Sequence, residues 1–422
     1  MFALDAPTAA AKTPAPSPQA SPPTARRNLV LLLLAGACLG VMTGIYETSF
    51  NNYLSEEFQL SANARGLLEL PREMPGFLVA LSAGLLSGWR NSRAGAAALA
   101  AVAVGLFGLG RLSPEFWSMV VWLTIWSIGV HLYIPLESSL ALATAGKGHG
   151  GERLGQLEGL KTAAVIVGAA LVWIGTDYIS SGFTGLYTTG AIVIGLGALF
   201  LWGMKTPPAV KNKQPLSRRL IFRRSYGLYY LLCVLYGARK QVFLTFGPWL
   251  LIRVLGEPAS TIAKLWIVAS VLGVLFRPAL GRLIDLAGER LVLMADAVLV
   301  FFICLGYGLA PTLGWGVWGT RLAYACYVAD LMLAATTMAR TMYLYHIIER
   351  PDDLTPSLSM GVSIDHAVAM TIPMFAGLLW VSFGYTAVFL AAAGITILNL
   401  VAAAFIKVGK PADLPGPAAA GG

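Results

Sequence analysis

The segment Lys205-Thr206-Pro207-Pro208-Ala209-Val210-Lys211-Asn212-Lys213-Gln214-Pro215-Leu216-Ser217-Arg218-Arg219-Leu220-Ile221-Phe222-Arg223-Arg224 carries seven cations and no acid in the middle of a very apolar chain. On either side of it lie six apolar runs long enough to cross a bilayer, which takes ~20 helical residues. The segment therefore reads as a cytoplasmic strap between two six-helix halves. Composition points the same way: the 422 residues are 57% hydrophobic and 12% charged, with 46 Gly and 11 Trp, unlike a soluble multidomain protein. The net charge of +9 would suit nucleic acid only if the basic residues gathered on one solvated face. They fall instead in short loops, where they orient a chain against an anionic inner leaflet, so the expected partner is the lipid bilayer and not nucleic acid.

The chain divides accordingly. Residues 1–27, rich in Ala, Pro, Thr and Ser, read as a disordered cytoplasmic tail, and no removable signal peptide opens the chain. A first bundle covers 28–203, a basic linker 204–225, a second bundle 226–407, and a disordered tail 408–422. The expected spans are 28–50, 66–88, 94–110, 115–140, 160–178 and 184–203, then 226–252, 261–281, 291–310, 314–339, 360–382 and 384–406. Charge checks the topology. The linker, Lys12, Arg26, Arg27, Arg90, Arg93, Lys147, Arg153, Lys161, Arg282, Arg290, Arg340, Arg350, Lys407 and Lys410 fall inside, whereas Arg65, Arg111 and Arg253 fall outside. That asymmetry puts both termini in the cytoplasm and the chain in the plasma (inner) membrane. Cys38, Cys233, Cys304 and Cys326 are scattered singly inside apolar runs, which predicts neither a disulfide nor a zinc site, and the histidines are too dispersed along the chain for an obvious metal site.

Between the eighth and ninth spans lies Gly281-Arg282-Leu283-Ile284-Asp285-Leu286-Ala287-Gly288-Glu289-Arg290. It resembles the loop signature G-x-x-x-D-x-x-G-x-[RK] of the major facilitator superfamily. The glycines permit a tight turn, and the acid suits the positive end of a neighbouring helix. The resemblance implies an all-α, twelve-helix membrane protein built as two pseudo-symmetric six-helix bundles. Gly281, Asp285, Gly288 and Arg290 would then hold the inner gate. The corresponding loop of the first half, Gly84 to Arg93, keeps its first glycine and its cations but has Gly88 where the acid belongs. The fourth span lacks the arginine common there in the family, and the fifth lacks the Gly-Pro signature of drug:proton antiporters.

Ionisable residues inside spans are the functional candidates, because each costs several kcal/mol in lipid unless it meets a cavity or a partner. Gly36, Gly40 and Gly44 form a small-residue seam on the first span, and Glu47 continues it, either as a protonatable cavity carboxylate or as a group at the outer surface. Glu69, Arg72 and Glu73 share a helical face, which fits a neutralised structural knot and a proton relay equally well. On the fourth span Trp122, Trp126, Gly129 and Tyr133 form one stripe and Thr124, Ser127, His131 and Ser138 another. Trp126 reads as a cavity wall and His131 as either a ligand or a core histidine. The seventh span carries Tyr236, Arg239 and Lys240, and adjacent cations point ~100° apart on a helix, so one acid cannot serve both. That is the sharpest substrate-site signal in the chain. Arg321 and Asp330 on the tenth span face nearly opposite ways and require partners on other helices. Asp365 and His366 on the eleventh fit a gate or a proton step, as does Asp296 on the ninth.

Family resemblance also implies a substrate near the midplane, lined by spans one, four, seven and ten. Substrate would meet Arg239, Lys240, Tyr236, Arg321, Trp126, His131 and Tyr327, with protons on Glu47, Glu69, Glu73 or Asp330. The expected function is secondary transport of a small charged or zwitterionic organic solute by a proton-coupled monomer. The rivals are an exporter of amphipathic drugs and a non-transporting enzyme or assembly factor on the same fold. No Gly-x-Ser-x-Gly, HExxH or GxxxxGK[ST] motif supports an enzyme, and no cofactor or metal is expected.

Overall fold

The computed structural model describes residues 22–82, 89–145, 149–206, 222–350 and 353–407, all of it helix and short connections. The first half contains α1 (Pro22–Glu56), α2 (Ala62–Leu67), α3 (Glu69–Ser82), α4 (Asn91–Arg111), α5 (Phe116–Ala143), α6 (Gly150–Asp177) and α7 (Phe183–Trp202). The second contains α8 (Gly227–Arg253), α9 (Ala259–Leu309), α10 (Val317–Leu333), α11 (Thr337–Ile347), α12 (Leu354–Phe383) and α13 (Tyr385–Ala404).

Nine of these described stretches are long and apolar enough to cross a membrane, and three further crossings complete twelve. The 51-residue α9 crosses twice, because Gly288 at φ 78°, ψ 158° breaks it into limbs 259–287 and 289–309. Only glycine takes that conformation without strain, so the second glycine of the loop signature is the turn itself. Gly281 lies within continuous helix, and a Cβ there would meet nothing, so it forms no turn. Helices α2 and α3 together make one crossing interrupted at Leu68, and α8, 27 residues and ~40 Å long, makes another. α10 and α11, joined by a single 3-10 turn at Ala334–Thr336, form one crossing.

Helix ends extend beyond the expected spans. α1 begins at Pro22, inside the stretch expected to be tail, and α6 begins at Gly150 where 160 was expected. Residues 207–221 of the linker, Gly84, Gly88, Lys12, Lys147 and Lys410 lie outside the described residues. Both mouths of the linker are anchored. Asn28 donates to the Lys205 carbonyl at 2.8 Å and accepts from its N–H at 3.1 Å, while Arg223 pairs with Asp353 at 2.7 Å.

The outer faces are apolar and exposed, as at Leu199, Leu275, Phe302 and Phe375, the pattern of a bundle solvated by lipid. Inside the first half, α1 packs on α6 and α7, and α4 on α5 and α7; in the second, α9 packs on α13 and α10, and α12 on α8. Between halves, α12 packs on α2 and α3, and α6 on α9. One core joins both halves around Phe50, Trp249 and Phe389, at the end of the bundle remote from the linker. At the linker end the second half keeps a separate core around Tyr226, Ile284 and Leu344. Among the described residues, polar links between halves lie in the middle of the bundle and at the far end, where Asn52 donates to the Glu257 carbonyl at 3.1 Å and Lys264 meets Asp177 at 2.9 Å. There the glycines of α2 and α12 let the backbones touch, since a Cβ on Gly66 would lie 2.1 Å from the Pro373 carbonyl. The halves are thus sealed at the far end and separately packed at the linker end.

Candidate functional site

Two charge networks occupy the middle of the bundle. The first begins with Glu69 at the start of α3, fully buried between Arg65 at 2.5 Å and Arg72 at 2.7 Å. Helical spacings of three and four residues bring these side chains together, as the sequence pattern requires. Arg65, expected in an outer loop, is instead 2% exposed on α2 and also donates to Asn51 of α1 at 2.8 Å. Arg72 reaches on to Glu73 at 3.1 Å. Gln241 of α8 donates to Glu69 at 3.0 Å, so the second half supplies part of the solvation of a first-half carboxylate.

Glu73 carries the network across. Its Oε2 lies 3.0 Å from Nδ1 of His366 on α12 and 3.9 Å from Nε2 of His131 on α5. The two imidazoles meet edge to face at 5.1 Å over Gly76, where a Cβ would collide with both rings. Ser127 donates to the Arg72 carbonyl, tying α5 to α3. His131 Nδ1 lies 2.9 Å from the Ser127 carbonyl, which can only accept, so Nδ1 carries a proton and Nε2 is the nitrogen turned toward Glu73. Of the polar stripe read on the fourth span, Ser127 and His131 therefore face α3, whereas Thr124 donates back to the Val120 carbonyl and Ser138 is exposed. The aromatic stripe does not: Trp126 stacks on Tyr46 at 4.0 Å and packs against Gly105 of α4. Trp126 Nε1 and the Tyr46 hydroxyl are buried without a hydrogen-bond partner among the described residues, and sequence reading did not single out Tyr46.

The second network is centred on α8. Arg239, 3% exposed, stands 3.6 Å from both Asp296 of α9 and Asp330 of α10. Thr336 donates to Asp296 at 3.1 Å. Lys240 bonds Asp365 of α12, and both side chains remain partly exposed, at 31% and 22%. The adjacent cations thus have separate acids, as their divergence on the helix demands. Tyr236 underlies Arg239 at 5.1 Å and Arg340 at 4.3 Å and donates to the Ala334 carbonyl at 3.1 Å.

The remaining candidates separate. Tyr327 is buried and accepts from Trp266 at 2.9 Å, a link between α10 and α9. Arg321 is not central: it lies in the second turn of α10, exposed, over Trp318 at 4.8 Å. Glu47 is half-buried with no hydrogen bond or ion pair to a described residue. It sits nine residues, ~13 Å, before the end of α1 at Glu56, which removes it from the outer surface. Asp285 and Arg290 are exposed, and Asp285 caps no helix. Asp365 and His366, read as one gate, diverge: the first binds α8 in its own half and the second crosses to α3.

The fold has close relatives among solved structures. A D323A mutant of the nucleoside transporter NupG superposes with a TM-score of 0.74 at 15% identity, over 89% of this chain and 98% of that one. A bacterial homologue of the human lysosomal transporter Spinster, inward-facing and occupied, gives 0.68 at 14% identity over 92% and 97%. A D-xylose-proton symporter gives 0.66 at 14% identity over 91% and 98%. No curated protein sequence matches the chain. The sequence profile of the Major Facilitator Superfamily matches residues 32–351. With that match, the twelve crossings and the shared fold, the chain belongs to the Major Facilitator Superfamily and is a multi-pass membrane transporter, not an enzyme.

Proposed function

We propose that this protein is a proton-coupled secondary transporter of a small zwitterionic or charged organic solute, working by alternating access, with both termini and the linker on the cytoplasmic side of the inner membrane. The observation that carries the reading is the partly exposed Lys240–Asp365 pair beside two otherwise sealed charge networks. A zwitterion can replace such a pair charge for charge, its carboxylate on Lys240 and its ammonium on Asp365, without leaving either group bare in a medium where that is expensive.

The proton belongs on the Arg239 triad. Arg239 is the one guanidinium in ion-pair range of two carboxylates there, and Arg340 on Tyr236 adds its charge to Asp296, so the less compensated carboxylate can take a proton. Thr336 supports the charged form of Asp296, so Asp330 is the acid that takes it. Protonation loosens α10 from α8 and biases the two facing states. Under the Lys/Arg asymmetry the sealed far end is external, and this arrangement is then inward-open.

The test is a thermal-shift screen of purified protein against zwitterionic and anionic metabolites, followed by proteoliposome uptake of each hit. A solute that stabilises wild type but neither Lys240→Ala nor Asp365→Ala, and that accumulates only with a pH gradient, supports the reading. A solute that stabilises all three proteins alike removes the recognition pair. Accumulation indifferent to the gradient removes proton coupling.

A further inference from the structure

The histidines expected to be too dispersed for a metal site converge. Among the described residues, Glu73, His131 and His366 place one ligand atom each within 4.8 Å of one another. Their separations of 3.0 and 3.9 Å bracket the ~3.4 Å between donors of a tetrahedral shell with ~2.1 Å bonds to zinc. Two imidazoles and a carboxylate are a donor set for borderline metals such as Zn²⁺ and Co²⁺, and three protein ligands leave a fourth position for water.

Three features orient the ligands before any ion arrives. The His131 Nδ1 proton is held by the Ser127 carbonyl, so Nε2, the nitrogen that would bind an ion, is aimed at Glu73. Arg72 occupies Oε1 of Glu73 and leaves Oε2 to the site, while Glu69 shares the charge of Arg72. The missing side chain at Gly76 makes the room in which both rings sit. Nε2 of His131 and the Glu73 carboxylate oxygen face each other at 3.9 Å across a gap suited to a positive charge, either a proton on Nε2 or a metal ion in its place.

We propose that Glu73, His131 and His366 form a binding site for one divalent transition-metal ion of the zinc class, and that the bound ion staples α3 and α5 of the first half to α12 of the second. Coordination by Nδ1 of His366 leaves that imidazole's proton on Nε2, and the metal takes the place of the proton now joining it to Glu73. The site needs no knowledge of the transported solute. Because its ligands come from both halves, the ion holds the far end shut and arrests the exchange of facing states.

The experiment uses full-length protein purified without a histidine tag, titrated with Zn²⁺ alone and with Co²⁺ alone. One ion per chain and a tetrahedral Co²⁺ absorption band are expected. His131→Gln and His366→Gln should each lower Zn²⁺ affinity at least tenfold and abolish the band, while His149→Gln leaves both intact. Ser127→Ala keeps the orienting carbonyl and removes only the hydroxyl 3.0 Å from His131 Nδ1, so it should lower Zn²⁺ affinity less than His131→Gln does, with the stoichiometry kept. Two variants on separate helices, read beside the wild-type spectrum, keep the test open if one misfolds. The staple is read in a background lacking the four native cysteines: Zn²⁺ should slow thiol labelling of Ser55→Cys at the far end, and should not do so once His366→Gln is added. Absence of the Co²⁺ band, or unchanged affinity in both histidine variants, overturns the site. Labelling unaffected by Zn²⁺, or accumulation of radioactive zinc inside proteoliposomes, overturns the staple.

Discussion

Gln241 on α8 donates to the Glu69 carboxylate on α3 at 3.0 Å, so a side chain of the second half completes the coordination of an acid buried in the first. A hydrogen bond to a charged group contributes about 1.5–3 kcal/mol. Gln241→Leu should therefore shift the balance away from the far-end-closed state by roughly 10- to 100-fold. Labelling of a cysteine at Ser55, which is buried there and bonded to Arg253, measures the shift. Unaltered labelling would mean that the bond does not hold the halves.

Glu69 itself has a larger effect. Removing it leaves Arg65 and Arg72 facing each other in a buried site, and breaking a buried ion pair from one side costs about 3–5 kcal/mol. Glu69→Ala should lower the unfolding temperature in detergent far more than Gln241→Leu does. Equal losses would remove Glu69 from the centre of the network.

Asp330→Asn takes the surplus charge from the Arg239 triad. Exchange of labelled for unlabelled substrate should continue, because it needs no net proton movement. Accumulation driven by a pH gradient should disappear. Gradient-driven accumulation at the wild-type level in Asp330→Asn would transfer the proton to another acid.

Lys240→Ala leaves the Asp365 carboxylate without its cation, and Asp365→Ala does the reverse. The double variant should be better folded than either single one, since no unpaired charge remains, yet should bind substrate no better. Melting curves of the three variants decide the first point, and substrate-induced thermal shifts the second.

The seam between α1 and α6 sets the stiffness of the first half. A Cβ on Gly44 would lie 2.3 Å from the Val165 carbonyl, and one on Gly168 2.1 Å from that of Val41. Gly44→Ala should destabilise by about 1–3 kcal/mol, the range for overpacking. Gly159→Ala, on the same α6 but meeting nothing, should be neutral or slightly stabilising. A similar melting temperature for both variants would argue against close packing at this seam.

The number of crossings, the seam of Gly36, Gly40 and Gly44, and the knot of Glu69, Arg72 and Glu73 were legible in the sequence because each is local: hydropathy runs, small residues every four positions, and charges three or four apart. The divergence of Arg239 and Lys240 was legible for the same reason. Their acids were not. Asp296, Asp330 and Asp365 come from three other helices, and nothing in one helix encodes which neighbour it meets. Arg65 was misplaced because a charge near a span end reads as a loop residue until its partner, Glu69, is seen to share the same turn of chain. Arg321 erred the other way: the family resemblance put it on a cavity-lining span, but its height, one turn from the helix start, leaves it at the rim over Trp318. The convergence of His131 and His366, 235 residues apart, has no local signal at all.

One glycine at φ 78° is all that separates the limbs of α9. A linkage that short has no backlash. The first limb bears on α6 of the opposite half, where Lys264 grips Asp177, and the second carries Asp296 against Arg239. In the exchange of facing states proposed above, rotation of the first limb would be passed on through Gly288 as through a crank, and the distance between Asp296 and Arg239 would change with it. Slack introduced at this joint, such as three inserted serines, would let the gate swing while the charge stays put.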